Sequence, residues 1–154
     1  MRAPTDQAEL GEAELGAWRG LVRVHAALAR ELDAELEARH GLPLSSYEVL
    51  RSLSRAPGGR LRMAELAEHV LLSRSGMTRL IDRLEREGVV ARSTCAKDGR
   101  GCYAVLTDRG RAMVEAARST HIEVVRRGFL RHFSEDEMRE LAQLWERVLP
   151  GAGS

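Results

Sequence analysis

The sequence predicts a mainly α-helical fold with one small β-hairpin, and three observations predict it. Long stretches at both ends of the chain place apolar side chains at the spacing of one helical face. Two shorter amphipathic segments lie in the middle of the chain and are joined by only a few residues. Directly after them, two short apolar runs flank Asp98-Gly99, a dipeptide that is a strong signal for a hairpin turn.

The composition is that of a globular protein. The 154 residues include 44% apolar and 31% charged residues, enough for one domain with its own core. The net charge is only +1, but its distribution is uneven. Between Arg60 and Arg111 there are eleven Arg and Lys against seven Asp and Glu, while the rest of the chain is net acidic. A basic middle segment indicates binding to a polyanion such as a nucleic acid, although a solvated surface of mixed charge would have the same composition.

Several classes of protein are disfavoured by the sequence. No apolar run approaches the roughly 20 residues that span a bilayer, and the N-terminus has no apolar signal core, so we expect a cytoplasmic protein that does not bind membranes. Two cysteines are too few for a secreted disulfide scaffold. The sequence lacks G-x-S-x-G, P-loop and H-E-x-x-H patterns, and its histidines show no spacing of metal ligands. We therefore expect neither an enzyme nor a cofactor or metal site.

The first half of the chain is predicted to contain two helices and a loop. One long helix runs from Glu9 to about Arg39 and ends before Gly41 and Pro43. Ser45 or Ser46 is expected to cap a second helix. The loop is the segment 56–59, Ala-Pro-Gly-Gly. The apolar stripe of the long helix comprises Trp18, Leu21, Val22, His25, Leu28, Ala29, Leu32 and Leu36.

The middle of the chain is predicted to form a helix-turn-helix followed by a hairpin. A short helix from Met63 to about His69 precedes a helix that Ser73 caps and that ends at Gly88. Strands over 89–94 and 101–106 follow. Four apolar residues of the second helix fall at i, i+3, i+4 and i+7 and predict a single buried face: Met77, Leu80, Ile81 and Leu84.

The C-terminal part is predicted to be helical again. Thr107 is placed to cap a long helix from Asp108 to about Arg131. Ser134 and Glu137 form a capping-box pattern at the start of a last helix. That helix is expected to end before Pro150.

Polar residues that can contact DNA remain on the outer face of the second helix of the helix-turn-helix. In such a unit the second helix can lie in the major groove, where arginine binds guanine and serine or threonine binds a base or phosphate. The basic hairpin beside it can place arginine in the minor groove. An ordinary surface helix and basic protection of a sheet edge are the alternatives. The candidate DNA-binding residues are Ser73, Arg74, Ser75, Thr78, Arg79, Arg83, Arg92, Lys97 and Arg100.

Two stretches of the sequence resemble the MarR family of transcription regulators. In the first, an Asp-x-Arg turn at Asp98 and Arg100 precedes an apolar strand, then Leu106-Thr107 and Gly110. The second, residues 66–90, is similar to the recognition region of that family. Together they cover about 45 residues, while the order of elements matches over the whole chain. The resemblance implies a winged helix-turn-helix that binds promoter DNA as a two-fold dimer, commonly as a repressor that a small, often phenolic, ligand or an oxidant releases.

The resemblance also implies how the chain is divided. One domain over 1–154 would comprise a winged helix-turn-helix DNA-binding lobe over 45–107 and dimerisation helices over 9–40 and 108–150. The apolar faces of these end helices exceed what a small lobe can cover, which independently predicts an interface between two copies. The candidate interface residues are Leu21, Leu28, Leu32, Leu141, Trp145 and Val148.

Two further pairs of residues allow alternative interpretations. Trp18 and His25 could line a pocket for an aromatic or phenolic effector, or could pack in the core or interface. If Asp98 and Gly99 are the central turn residues, Cys95 lies opposite Cys102, which would allow a cross-strand disulfide or a redox switch. Both thiols could equally be incidental in a reducing cytoplasm. The peroxide sensors of the family carry a reactive cysteine in the first helix, and this chain has none there.

The sequence thus predicts a homodimeric, sequence-specific DNA-binding regulator, with a pseudo-palindromic operator as its partner and a repressing role that an effector ends. The alternatives are a redox-responsive regulator that uses Cys95 and Cys102, and a winged-helix module that binds proteins and does not read DNA.

Overall fold

The computed structural model describes residues 9–70, 72, 74–94 and 102–152. The described part is mostly helical and contains one three-stranded sheet. Its helices are α1 (Glu12–His40), α2 (Leu44–Arg55), α3 (Met63–Val70), α4 (Arg74–Arg86), α5 (Asp108–Gly128) and α6 (Glu135–Val148). Its strands are β1 (Arg60–Arg62), β2 (Val90–Thr94) and β3 (Cys102–Leu106), and single 3-10 turns occur at Pro57–Gly59 and Leu130–His132.

The sheet is antiparallel with the strand order β1-β3-β2. The sequence predicted β2 and β3 but not β1, because three residues are too short for a recognisable alternation. β1 is held by its partners: Leu61 pairs with Ala104 of β3 and packs against the core.

The register of the hairpin corrects one expectation. Thr94, not Cys95, lies opposite Cys102. An odd number of residues therefore separates the last paired positions, which a two-residue turn centred on Asp98 and Gly99 cannot give. Cys95 itself lies outside the described residues, and the geometric argument for a cross-strand disulfide no longer holds.

The helix starts agree with the sequence at two positions and differ at a third. Thr107 Oγ1 accepts a hydrogen bond from Gly110 N at 3.1 Å, and the Ser134–Glu137 capping box is present, so both predicted caps are confirmed. The expected cap at Ser45 or Ser46 is wrong. α2 begins at Leu44 with Pro43 as its N-cap, two residues before the earlier of the two expected caps, and Leu44 N donates to Asp33 Oδ1 of α1 at 2.8 Å.

One continuous core joins α2, α3, α4, the sheet and the first half of α5. Gly110 brings the start of α5 against the base of the hairpin. A Cβ atom at this position would lie 2.1 Å from the carbonyl oxygen of Val89, so the close approach requires glycine. Thr107 Oγ1 also donates to the carbonyl oxygen of Gly88 at 2.8 Å, which fixes the same junction.

The second half of α5 packs along α1 instead. A Cβ atom at Gly128 would lie 2.7 Å from Leu28 Cδ2, so the two helices approach closely there. Arg127 forms an ion pair with Glu31 at 2.6 Å, and His40 Nε2 lies 2.8 Å from Thr120 Oγ1. These contacts hold α1 to α5, while the N-terminal half of α1 and most of α6 remain exposed.

Within the described ranges, no helix combines the length and the apolar character needed to cross a membrane.

Candidate nucleic-acid interface and the adjoining cleft

The two faces of α4 have separate roles. Met77, Leu80, Ile81 and Leu84 are buried in the core, as the spacing predicted. Three of the candidate DNA-binding residues on the opposite face, Ser75, Thr78 and Arg79, are exposed. The side chain of Arg74 and all of Ser73 lie outside the described residues. An α-helix whose N-terminal half exposes hydroxyl groups and arginine can place them against base edges and phosphates.

Two other candidate residues make contacts inside the protein. Arg83 Nη2 donates to Ser46 Oγ of α2 at 2.8 Å, and Ser46 is buried. Arg92 of β2 lies 2.6 Å from Asp82 Oδ1 and 3.7 Å from Glu85 Oε1, both on α4. Arg83 therefore connects α4 to α2, and Arg92 connects the hairpin to α4. Lys97 and Arg100, predicted at the hairpin tip, lie outside the described residues.

The outer face of the sheet carries a basic group that the sequence analysis missed. The guanidinium carbons of Arg60 and Arg62 lie 5.0 and 5.4 Å from the ring centroid of Tyr103, which is cation-π distance. Both arginines are exposed. The Arg-Leu-Arg alternation of β1 was the available signal, since residues i and i+2 of a strand share a face.

A cleft of about 780 Å³ opens between α2 and α5. Its size is in the range of small-molecule sites, which is roughly 300–1,000 Å³. Its apolar walls include Val114, Ile122, Val125 and Leu130, and its polar lining includes Tyr47, Arg51, Ser54, Arg55, Arg111, Glu115, Arg118, His121 and Arg126.

The charge of the cleft is strongly positive. Five arginines line it against a single glutamate. Glu115 pairs with Arg118 at 3.5 Å, and among the described residues no carboxylate forms an ion pair with any of the other four arginines. The cleft therefore offers unpaired guanidinium groups beside an apolar wall, which suits an organic anion.

Tyr47 and His121 stack at the cleft with their ring centroids 4.9 Å apart. Burial lowers the pKa of His121 below its usual value, and the positive charges of Arg51 and Arg55 lower it further. Burial raises the pKa of Tyr47. At neutral pH the pair is thus an uncharged stack, and the positive charge of the cleft comes from its arginines.

The structure does not bring the predicted effector residues into this cleft. Trp18 is 58% exposed, His25 is exposed, and neither lines the space between α2 and α5. The sequence pattern of aromatic residues pointed to Trp18 and His25, and the arginines of the cleft were not predicted as effector contacts. Arg51 and Arg55, one helical turn apart, were the available signal.

The described residues contain no group of three or more histidine, cysteine or acidic side chains that could hold a metal ion.

A helix-turn-helix with an exposed polar face, joined directly to a basic antiparallel sheet, defines a winged-helix DNA-binding regulator.

The comparisons with known proteins agree. The MarR family model matches residues 40–101. The HTH-type transcriptional repressor Rv2887 of Mycobacterium tuberculosis is 34% identical over 128 residues, which cover 83% of this chain and 89% of the relative. The homoprotocatechuate degradative operon repressor of Escherichia coli is 30% identical over 111 residues, covering 72% and 73% of the two chains. The chain belongs to the MarR family, whose members are DNA-binding transcription regulators and not enzymes.

Two solved structures are similar over nearly the whole length. Sco3205, a MarR family regulator of Streptomyces coelicolor solved in complex with DNA, has a TM-score of 0.86 and 30% identity, covering 96% of this chain and 92% of its own. Rv2887 in complex with salicylic acid has a TM-score of 0.65 and 33% identity, covering 92% and 98%. The predicted family and the predicted fold class are both confirmed.

Proposed function

We propose that this protein is a homodimeric repressor that binds a pseudo-palindromic operator and leaves it when a small aromatic or phenolic effector occupies the cleft between α2 and α5. Residues 45–107 form the DNA-binding lobe, and residues 9–40 and 108–150 form the dimerisation region. Because its target is chromosomal DNA, the protein works in the cytoplasm.

The observation that carries the proposal is the division of α4 into a buried apolar face and an exposed polar face. Ser75, Thr78 and Arg79 then read bases in the major groove, together with Ser73 and Arg74 at the start of the helix. The hairpin, with Lys97 and Arg100, adds phosphate and minor-groove contacts. The DNA complex of Sco3205 supports DNA as the partner of this fold.

Dimerisation is supported by the apolar residues that one chain leaves uncovered. No residue of α6 is buried, although the helix is strongly amphipathic and all of its 14 residues are described. Leu21 is exposed on α1, and Val148 on α6 is 77% exposed. Leu32, Leu141 and Trp145 are half-buried. Leu28 packs against Gly128 of the same chain, so it holds α1 against α5 beneath the proposed interface.

An effector bound in the cleft can change the position of α4 through its contacts with α2. Tyr47, Arg51 and Arg55 of α2 line the cleft, and the neighbouring Ser46 accepts the hydrogen bond from Arg83 of α4. A ligand that pulls α2 toward α5 therefore displaces the helix that reads DNA. The salicylic acid complex of Rv2887 supports an aromatic acid as the class of effector.

The test is a gel shift with the promoter DNA of the protein's own locus, against unrelated DNA of equal length. We expect tight binding to the promoter and its loss when salicylate is added. Arg79→Ala should cost about 1–3 kcal/mol on the promoter and relax preference at one base position. Arg86→Ala, a change at an exposed arginine at the other end of α4, is the matched control and should keep full affinity. Equal affinity of the wild type for promoter and unrelated DNA would refute sequence-specific regulation at this site.

A further inference from the structure

The arginines of the α2–α5 cleft are spread along its length. Arg111, Arg118 and Arg126 lie on α5, and the first and last are fifteen positions apart, a rise of about 22 Å. Arg51 and Arg55 face them from α2. A single carboxylate, which spans only a few ångströms, can contact one or two of these groups at a time.

The cleft also carries more positive charge than its own carboxylates can neutralise. Only Arg118 has a carboxylate partner among the lining residues, Glu115. The other four guanidinium groups have no carboxylate partner among the described residues, so the cleft carries an excess of positive charge. The charged groups that lower the pKa of His121 are two of these arginines, Arg51 and Arg55. A ligand with one negative charge offsets a small part of this excess, and a ligand with two separated charges offsets more of it.

We propose that the effector of this cleft is a planar aromatic anion that carries two separated acidic groups, one held by the arginines of α2 and the other by those toward the C-terminal end of α5. The rings lie against the apolar wall formed by Val114, Ile122 and Val125. This inference rests on the proposed function for the position of the effector site. It goes further in naming the charge and shape of the ligand.

Binding of such a ligand also changes the protonation of the cleft. Tyr47 stacks on His121, and Arg51 and Arg55 act on it through charge. The other titratable and charged groups that line the cleft lie on its own helix: Arg111, Glu115, Arg118 and Arg126. A dianion offsets the positive charges that lower the pKa of His121, so this pKa rises toward its usual value near 6.5. At pH 6 the complex therefore takes up protons from the buffer.

The experiment compares two probes that share one ring system. Naphthalene-2,6-dicarboxylate carries two carboxylates, and 2-naphthoate carries one. Isothermal titration of the full-length protein should show the dicarboxylate binding about tenfold or more tightly, since it adds a second set of charge-assisted hydrogen bonds. Titrations at pH 6 in two buffers of different ionisation enthalpy should reveal proton uptake with the dicarboxylate.

Variants locate the two ends of the ligand. Arg55→Gln and Arg126→Gln should each remove most of the advantage of the dicarboxylate, because each leaves one carboxylate without its arginine. The single carboxylate of 2-naphthoate occupies one end of the cleft only, so at most one of the two variants should weaken its binding. Arg109→Gln removes an exposed arginine of α5 that does not line the cleft and should retain the tenfold difference. His121→Gln should abolish the proton uptake and keep the preference for two charges.

Four outcomes would overturn the inference. Equal affinity for both probes would exclude a preference for two acidic groups. The absence of saturable binding of either probe would exclude an aromatic anion as the ligand of this cleft. A tenfold difference that persists in both arginine variants places the binding site elsewhere. Weaker operator binding by ligand-free Arg55→Gln, with a lower salt dependence, makes the cleft a phosphate contact for DNA. None of these results changes whether the ligand-free wild type prefers its promoter, which tests the proposed function separately.

Discussion

Two helices of almost equal length, α4 with 13 residues and α6 with 14, have similar apolar patterns and different surroundings. The apolar face of α4 is buried among α2, α3 and the sheet. The apolar face of α6 has no fully buried residue. A strong amphipathic pattern thus predicts that a face will be covered, but it does not say by which chain. In α4 the cover is the chain's own core, and in α6 we infer that it is a second copy.

The largest expected effect comes from disrupting the proposed dimer interface at the apolar face of α6. Replacing Leu141 and Trp145 with aspartate should abolish both the dimer and specific DNA binding, since two recognition helices must face one side of the DNA. Light scattering and a gel shift on the same sample measure the two losses. Far-UV circular dichroism should show an unchanged helix content. A wild-type monomer at micromolar concentration that still binds its operator would contradict this expectation.

The same comparison can be made with single truncations. Ile81→Ala on α4 should lower the free energy of unfolding by about 2–5 kcal/mol, because Ile81 is fully buried and the change leaves a cavity. Val148→Ala on α6 should change it by less than about 0.5 kcal/mol in the monomer, because Val148 is 77% exposed. Urea denaturation at several protein concentrations measures both. As a dimer, the wild type should unfold at a higher urea concentration when more protein is present, and Val148→Ala should lower this midpoint by weakening the interface. Equal losses in the monomer at the two sites would remove the distinction.

The hairpin should contribute affinity more than sequence choice. Arg100→Ala should weaken binding to most sequences alike and reduce the slope of log affinity against log salt by about one contact. Gel shifts at several salt concentrations, with specific and unrelated DNA, measure the slope. If affinity and slope both stay at their wild-type values, the hairpin does not take part in binding.

The smallest expected effect is a pH dependence from His121. Its pKa is lowered in the folded protein by burial and by Arg51 and Arg55, so the unfolded chain binds protons more readily. The contribution of neutral His121 to the free energy of unfolding is fully present above its usual pKa, near 6.5. It is lost as the pH falls from there toward the lower pKa of His121 in the folded protein. Thermal melts between pH 7.5 and 5 should show a shallower decline for His121→Gln than for the wild type. Parallel declines would assign the effect to other groups.

The parts of the fold that depend on local patterns could be predicted from the sequence. The caps at Thr107 and Ser134 and the buried face of α4 were found because each depends on residues a few positions apart. β1 and the contact between Ser46 and Arg83 were missed because their partners lie about 40 residues away. The cleft was missed for the same reason, since its arginines belong to two helices. The exposure of Ser75, Thr78 and Arg79 on α4 was predicted, and their contact with DNA stays a prediction. The inner contacts of Arg83 and Arg92 were missed because they depend on where α2 and β2 pack.

The close contact at Gly110 has a mechanical consequence. Because the start of α5 is packed against Val89 and bonded through Thr107, we expect the base of the hairpin and α5 to move together. α5 has 21 residues and is about 31 Å long, so a tilt of about 10° at its far end moves the hairpin by about 5 Å. In the proposed two-fold dimer both α5 helices tilt together, and the spacing between the two copies of α4, the proposed recognition helix, changes by up to twice that amount. B-DNA repeats every 34 Å or so, and a mismatch of this size moves both helices out of register with successive major grooves.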